Sequence, residues 1–368
     1  MPCEHPDLGP YKLTGVKYIG HSLVSSVVFS YAYNGVWFSV LAASPDDEAG
    51  GEAILSAGYK FDQSIEGKFL IQLSNLQWGE FDAARDAQSE HLENELAKLG
   101  GNACLPLMRE LAPVPIPEPR TLQEQLYPQT YTLQILTEDG KLTCRQLDSY
   151  AGLTERHPPV AEDKLRVMGL GAEPTINVPV VKASQVVLVR RLQSFVWLVK
   201  VGEADMVCKT SLDTFWNSIG EELEAYLKIR AAGVEPRVPE LTGIIQSHAG
   251  VIGILLRHIP HKHHSLGALL AGVKQGTVAQ TEAAPLLKQK WATQIKETLT
   301  GLHALGILWR DIKTDNVLID DNGDAVVLDF GGGNTMGWVD RDKYGTMEGE
   351  MQGLRKILDA LEVETAQD

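Results

Sequence analysis

Residues 302–333 decide the fold and read LHALGILWRDIKTDNVLIDDNGDAVVLDFGGG. Two apolar runs within it, residues 317–319 and 325–328, have the composition of short β-strands. Between them stands Asp321-Asn322-Gly323, whose Asn and Gly tolerate the positive φ that a tight hairpin turn requires. A hairpin here would bring the segment before its first strand close to the segment after its second strand.

Polar residues flank this hairpin on both sides, with Asp311, Lys313 and Asn316 before it and Asp329 after it. We expect these side chains to converge at one end of the hairpin. Oxygen ligands hold Mg²⁺, a carboxylate orients a hydroxyl group, and a lysine neutralises the charge of a transferred phosphoryl group. The pattern therefore predicts a site for a metal-bound polyphosphate. The alternative is a surface hairpin with acidic turn residues.

The order of these motifs, D-x-K-x-x-N at residues 311–316 and D-F-G at residues 329–331, resembles the catalytic loop and DFG motif of protein kinases. The residues that follow, 329–340 and 348–354, resemble a group of small fungal protein-kinase-like proteins that carry DFGGG-x-T-x-GWVD and an EG-acid-x-QGL helix. The resemblance implies an α+β, two-lobed protein-kinase-like fold with a truncated C-lobe. It also implies that ATP and Mg²⁺ are the cofactors.

The same resemblance assigns roles to individual residues of this chain. Asp311 and Lys313 are the expected catalytic residues, and Asn316 and Asp329 are the expected metal ligands. Lys209 occupies the place of the third-strand lysine that grips the α and β phosphates of ATP.

Two further parts of the ATP site are expected on the N-lobe. Glu222 best matches the helical acid that pairs with the third-strand lysine, and Glu224 is the alternative. Arg257-His258-Ile259 matches the hinge where adenine would rest. Several histidines crowd this hinge, and we interpret them as solvated hinge residues rather than as a metal site, because no Cys or acid completes a ligand set. They are His258, His261, His263 and His264.

The sequence departs from the kinase pattern at the loop over the phosphates, where Leu192-Gln193-Ser194 replaces a glycine-rich loop. Without glycines, the backbone cannot approach phosphate oxygens as closely. Trp309 stands in place of a histidine, so we expect it to fill the core but not to make the hydrogen bonds of that histidine. For Arg310 we expect a structural ion pair, with contact to an activating phosphate as the alternative. The resemblance implies that Glu350 is a buried acid that braces the catalytic loop.

Composition shifts, together with the resemblance to protein kinases, predict four regions along the chain. A proline-rich stretch at residues 112–119 and a Pro-, Gly- and charge-rich stretch at residues 155–179 are typical of connectors. The predicted regions are an α+β N-terminal domain at 1–150, a linker at 151–182, an N-lobe with hinge at 183–260 and a shortened C-lobe at 261–368.

Periodicity predicts the elements within these regions. The predicted strands cover residues 27–33, 36–41, 68–73, 131–136, 142–147, 186–191, 195–201, 206–209 and 251–256. The predicted helices cover residues 80–99, 219–229, 287–305 and 346–361. Gly100-Gly101 is expected to end the first of these helices. A loop is predicted at residues 271–284.

The net charge of −15 argues against nucleic-acid partners and against an anionic membrane surface. The cysteines are scattered without metal-ligand spacing, which is typical of reduced thiols. We find no signal peptide and no apolar stretch long enough to cross a bilayer, and so expect a cytoplasmic or nuclear protein.

The sequence thus favours an ATP-dependent phosphotransferase whose acceptor is a protein Ser/Thr hydroxyl, because Lys313 follows Asp311 by two residues as in Ser/Thr kinases. A small-molecule acceptor, as in relatives of the fold that phosphorylate aminoglycosides, is one alternative. A pseudokinase that serves as a scaffold is another. The N-terminal domain could bind a protein partner.

Overall fold

The computed structural model describes residues 10–19, 24–45, 58–77, 83–148, 177–210, 218–330, 332–333 and 335–363. The chain divides into two compact units. The first comprises Met1–Pro119 and Glu124–Glu155, and the second comprises Arg120–Gln123 and Arg156–Asp368.

The first unit is a five-stranded sheet with helices packed on it, in the strand order β1-β2-β3-β4-β5. Neighbouring strands are antiparallel except β3 and β4, which are parallel. Both hairpins predicted here are confirmed, and positive φ angles at Asn34 and Gly35 close the first of them. The strands are β1 Lys12–Ile19, β2 Ser26–Tyr33, β3 Val36–Ala42, β4 Thr130–Glu138 and β5 Lys141–Leu147. The helices are α1 Ile65–Gln77 and α2 Ala83–Leu111. The short α3, Leu122–Leu126, contains residues assigned to both units.

The strand predicted at residues 68–73 is wrong, because these residues lie inside α1. A short apolar run suits a strand or a buried helix equally well, and here local capping favours the helix. Ser64 Oγ accepts a hydrogen bond from the Gly67 backbone N–H at 3.0 Å, which satisfies a donor at the start of the helix. Leu70 and Leu73, three residues apart, then share one buried face.

The predicted end of α2 at Gly100-Gly101 is also wrong, because the helix continues to Leu111. A Cβ atom at Gly101 would lie 2.4 Å from Cζ of Tyr11, so this glycine allows a close approach and does not end the helix. Cys104 and Met108 extend the buried face beyond the glycines. Packing against the sheet outweighs the low helix propensity of glycine.

The second unit begins with a six-stranded sheet in the order β6-β10-β11-β9-β8-β7. The three strands predicted for the start of the N-lobe are confirmed, whereas β6 and β10 were not predicted. β6 lies at the end of the stretch expected to be a linker, residues 151–182, and pairs in parallel with β10; residues 151–176 lie outside the described residues. The strands are β6 Val180–Lys182, β7 Val187–Gln193, β8 Val196–Val201, β9 Ala204–Thr210, β10 Leu241–Ser247 and β11 Gly250–Arg257.

Helix α4, Ser218–Ala232, packs on this sheet and buries Leu223 and Tyr226. The remainder of the unit is built from helices around a two-stranded hairpin. Its elements are α5 Leu266–Gln275, α6 Pro285–Ala304, β12 Val317–Ile319, β13 Ala325–Val327 and α7 Met347–Ala360.

The loop predicted at residues 271–284 is only partly correct, because its first residues complete α5. Gly276 then ends this helix with φ 74°, a left-handed conformation that glycine adopts without strain. The large side chains of Trp291 and Trp309 are fully buried in the core that joins the sheet, the helices and the hairpin. Among the described residues, no helix has both the length and the apolarity needed to cross a membrane.

Candidate active site

The hairpin of β12 and β13 brings the two polar segments together, as the sequence predicts. Val317 pairs with Val327 in antiparallel register, and the backbone N–H of Leu328 donates to the carbonyl of Asn316 at 2.9 Å. Trp291 of α6 anchors the turn, because its indole Nε1–H donates to the carbonyl of Gly323 at 3.1 Å. The residues before β12 and after β13 are therefore neighbours.

Asp311 is the centre of the first polar cluster, and its carboxylate is almost fully buried. Lys313 Nζ lies 2.5 Å from Asp311 Oδ2, and Asn316 Nδ2 donates to the same oxygen at 3.1 Å. Thr335 Oγ1 donates to Asp311 Oδ1 at 2.9 Å and accepts from Lys313 Nζ at 2.7 Å. Thr335 belongs to the quoted DFGGG-x-T motif, but its position in the sequence does not by itself predict this role.

Lys209 of β9 joins a second cluster, which contains Glu222 of α4 and Asp329. Lys209 Nζ lies 2.7 Å from the carboxylate of Glu222 and 3.0 Å from Oδ1 of Asp329. Glu222 is 1% exposed, so its charge depends on this lysine. The alternative acid, Glu224, instead pairs with Lys228 one turn along its own helix at 2.8 Å.

Burial and charge act in opposite directions on this cluster. Burial by itself lowers the pKa of Lys209, but the carboxylates of Glu222 and Asp329 outweigh that effect and raise the pKa above its ordinary value. Burial raises the pKa of Glu222, and Lys209 offsets part of this shift. Lys209 is therefore held in its charged form at neutral pH.

Glu350 of α7 braces the loop that carries Asp311, as the sequence predicts. Its carboxylate is 2% exposed and accepts hydrogen bonds from the backbone N–H groups of Trp309 at 2.9 Å and Arg310 at 2.7 Å. His303 Nε2 lies 3.1 Å from the same carboxylate. Helix α7 thus holds the backbone immediately before Asp311.

Comparison with known proteins agrees with this arrangement. Residues 206–348 match the model of the protein kinase domain. The chain contains a domain of the protein-kinase-like superfamily. This domain holds both polar clusters, and the mixture of sheets and helices is consistent with the α+β, kinase-like fold that the sequence implies.

Curated relatives of the kinase-like domain are protein kinases by name. The chain is 27% identical to the serine/threonine-protein kinase PKH3 of Eremothecium gossypii over 123 residues, 32% of this chain and 16% of the relative. It is 36% identical to the mitogen-activated protein kinase kinase kinase mkh1 of Cytospora mali over 104 residues, 27% of this chain and 5% of the relative. The chain therefore spans less than a fifth of the length of each of these relatives.

Trp309 of the kinase-like domain fills the core, as expected, and is fully buried. Its indole Nε1–H also donates to the carbonyl of Leu328 at 2.7 Å, directly before Asp329. This bond ties the Asp311 loop to the Asp329 segment, and no feature of the sequence indicates it.

The hinge strand β11 ends at Arg257, which forms an ion pair with Glu240. Burial, with His261 nearby, lowers the pKa of His258. His261 Nδ1–H donates to the carbonyl of Ile259 at 2.6 Å. In the part of the chain that the structure describes, no side chain of Arg257, His258 or Ile259 hydrogen-bonds to the Asp311 or Lys209 clusters. A role for this segment in adenine binding stays a prediction.

The turn between β7 and β8 is short. Gln193 pairs with Val196, so only Ser194 and Phe195 connect the strands, and Phe195 has φ 63°. The Phe195 ring packs edge-on against Trp197, with 6.5 Å between ring centroids. A tight hairpin turn therefore stands where the kinase pattern has a glycine-rich loop.

The donors and acceptors of the two clusters fit magnesium and a polyphosphate. Asn316 uses its amide nitrogen to bond to Asp311, and its amide oxygen accepts no hydrogen bond from the described residues. Asp329 uses Oδ1 for Lys209, and Oδ2 has no such partner within the same residues. Two oxygen ligands are thus available beside a lysine; Mg²⁺ binds oxygen ligands, and a lysine neutralises phosphate charge. The structure forms no group of three His, Cys, Asp or Glu side chains suited to a metal within its described ranges.

Proposed function

We propose that the kinase-like domain transfers the γ-phosphoryl group of Mg-ATP to a Ser or Thr hydroxyl of a protein. The observation that carries this proposal is the adjacency of two clusters. Asp311, Lys313 and Thr335 form one, and Lys209 with Asp329 forms the centre of the other. One cluster suits an acceptor hydroxyl, and the other suits a charged triphosphate.

In this mechanism Asp311 orients the acceptor hydroxyl and takes its proton, and Lys313 stabilises charge on the transferred group. Mg-ATP supplies the phosphoryl group and the cations that neutralise its charge. Asn316 and Asp329 would hold the metal through their available oxygens, and Lys209 would hold the α and β phosphates. Most of the rate acceleration then comes from positioning and electrostatics.

Two features favour a protein hydroxyl as the acceptor. Lys313 follows Asp311 by two residues, as in the Ser/Thr kinase pattern, and its ammonium contacts the Asp311 carboxylate. The curated relatives named above are protein kinases, and one is named a serine/threonine kinase. A small-molecule acceptor is the alternative among enzymes of this fold.

A scaffold without turnover is the second candidate, and the β7–β8 turn is the observation that favours it. A two-residue turn without glycine offers fewer backbone N–H groups to phosphate oxygens than a glycine-rich loop. Against the scaffold stands the intact set of site residues, which a module without turnover does not need: Asp311, Lys313, Asn316, Asp329 and Lys209.

The experiment that separates these candidates is ATP turnover by the purified full chain, with a mixture of protein and small-molecule acceptors, in Mg²⁺ and in EDTA. We expect Mg²⁺-dependent transfer that Asp311→Asn and Asp329→Asn each reduce at least a hundredfold. Asp321→Asn, the same change on the exposed turn of the hairpin, is the matched control and should keep full activity. Absence of transfer together with absence of a thermal shift in Mg-ATP would contradict the enzyme and favour the scaffold.

A further inference from the structure

Arg310 and Glu221 form an ion pair that links the catalytic loop to helix α4. Arg310 directly precedes Asp311, and Glu221 directly precedes Glu222. The pair therefore joins the immediate neighbours of the proposed catalytic aspartate and of the acid that holds Lys209. The sequence predicts an ion pair for Arg310 but does not indicate its partner.

The chain after Phe330 passes directly over this ion pair. A Cβ atom at Gly332 would lie 3.5 Å from Glu221 Oε2, 3.6 Å from Tyr344 Oη and 3.8 Å from Arg310 Nη1. The backbone N–H of Gly333 donates to Tyr344 Oη at 2.9 Å. The catalytic loop, α4 and the segment that follows Phe330 thus meet at one point.

The backbone on both sides of the pair is already ordered by other contacts. Arg310 has φ 68°, and Glu350 accepts its backbone N–H at 2.7 Å. Glu221 lies in the first turn of α4. The Arg310 and Glu221 side chains are 38% and 47% exposed. Ion pairs with this exposure usually contribute little to the free energy of folding. The Arg310–Glu221 pair costs less conformational entropy than a typical exposed pair, because the backbone at both residues is already held in place.

We propose that Arg310 and Glu221 act as positioning residues: their ion pair holds α4 against the catalytic loop so that Glu222 reaches Lys209 without an added phosphate. In many kinases the placement of the corresponding helix depends on a phosphate added to the segment after the DFG motif. Here the carboxylate of Glu221 already neutralises Arg310. This inference rests on the proposed function for its catalytic consequence, but the position of α4 is measurable without catalysis.

The test is a double-mutant cycle with Glu221→Ala, Arg310→Met and the double variant. Lys228→Gln is the matched control, because it removes the Glu224–Lys228 pair, which is about as exposed and lies in the same helix. The primary measurement is amide hydrogen exchange of α4 in the nucleotide-free full chain. The second is kcat and KM for Mg-ATP, compared with the thermal midpoint of each variant.

We expect each single variant to speed exchange in α4 and to lower kcat/KM about two- to fivefold, with a midpoint equal to that of Lys228→Gln. The loss of kcat/KM in the double variant should be no larger than the loss in the more impaired single variant. Losses of kcat/KM that multiply in the double variant would overturn the proposed role of the ion pair. Amide exchange of α4 that matches Lys228→Gln in every variant would overturn it as well. Phosphatase treatment of the wild type should leave the amide exchange of α4 unchanged. A large acceleration of that exchange would show that an added phosphate, and not the ion pair, holds α4 in place. If the wild type shows no turnover, the proposed function fails, while the exchange data still decide this inference.

Discussion

The ammonium group of Lys209 lies 3.0 Å from Oδ1 of Asp329, although 120 residues separate them in the chain. The same ammonium lies 2.7 Å from the carboxylate of Glu222. One lysine thus compensates two acids that come from α4 and from the segment after β13. This arrangement makes the stability of the kinase-like domain depend on pH once the lysine is removed.

Lys209→Met should lower the free energy of unfolding by about 3 kcal/mol at pH 8, because it leaves Glu222 buried without its cation. Burial already raises the pKa of Glu222 in the folded state, and loss of Lys209 raises it further. The folded state then binds a proton that the unfolded state releases, so stability is greatest at low pH and falls as pH rises. Urea denaturation at pH 5 and pH 8 measures the difference. A further Glu222→Gln change should remove this dependence, and its persistence would show that another group is responsible.

Thr335→Val should lower kcat about tenfold with little change in stability, because the hydroxyl that bridges Asp311 and Lys313 is lost while the shape of the side chain is kept. Thr335→Ser keeps the hydroxyl and serves as the control. Steady-state kinetics of both variants with Mg-ATP provide the comparison. Equal kcat values for Val and Ser would show that the hydroxyl does not orient the catalytic pair.

Trp309→Phe should destabilise the domain by about 2–3 kcal/mol, since it removes the hydrogen bond to Leu328 and leaves a small cavity. Trp291→Phe is a matched variant, because this buried indole also donates to a carbonyl, that of Gly323. We expect a similar loss of stability from both in urea denaturation. Only Trp309→Phe should also lower kcat, since only Trp309 ties the Asp311 loop to the Asp329 segment; an equal effect of Trp291→Phe on kcat would contradict this role.

Tyr226→Phe should raise the free energy of unfolding by about 1 kcal/mol, because the buried Tyr226 hydroxyl has no hydrogen-bond partner among the residues that the structure describes. The ring itself packs edge-on against Phe330 at 5.5 Å and is retained in phenylalanine. Tyr31→Phe is the opposite case, since the buried Tyr31 hydroxyl donates to the carbonyl of Ala97 at 2.7 Å. Calorimetry should show stabilisation by the first change and destabilisation by the second. A loss of stability in Tyr226→Phe would reveal a partner for its hydroxyl.

Local sequence determined the β12–β13 hairpin and the convergence of the residues around it. Asn322 and Gly323 favour a tight turn wherever they stand between strand-like runs, and a turn of fixed length fixes which flanking residues become neighbours. The approach of Asn316 to the segment that leads into Asp329 therefore follows from the hairpin itself. The helical period likewise predicted α6 and α7 from their spacing of apolar side chains.

Tertiary packing decided the features that involve residues far apart in the chain. The sequence favours Glu222 as the partner of Lys209 but leaves Glu224 as an alternative, and the orientation of α4 selects Glu222. Residues 68–73 suit either a strand or a helix by themselves, and the burial of Leu70 and Leu73 acts together with the Ser64 cap to select the helix. The indole bond from Trp309 to Leu328 likewise depends on the folded chain. Short-range patterns specify backbone conformation, whereas the pairing of distant side chains depends on how whole elements pack.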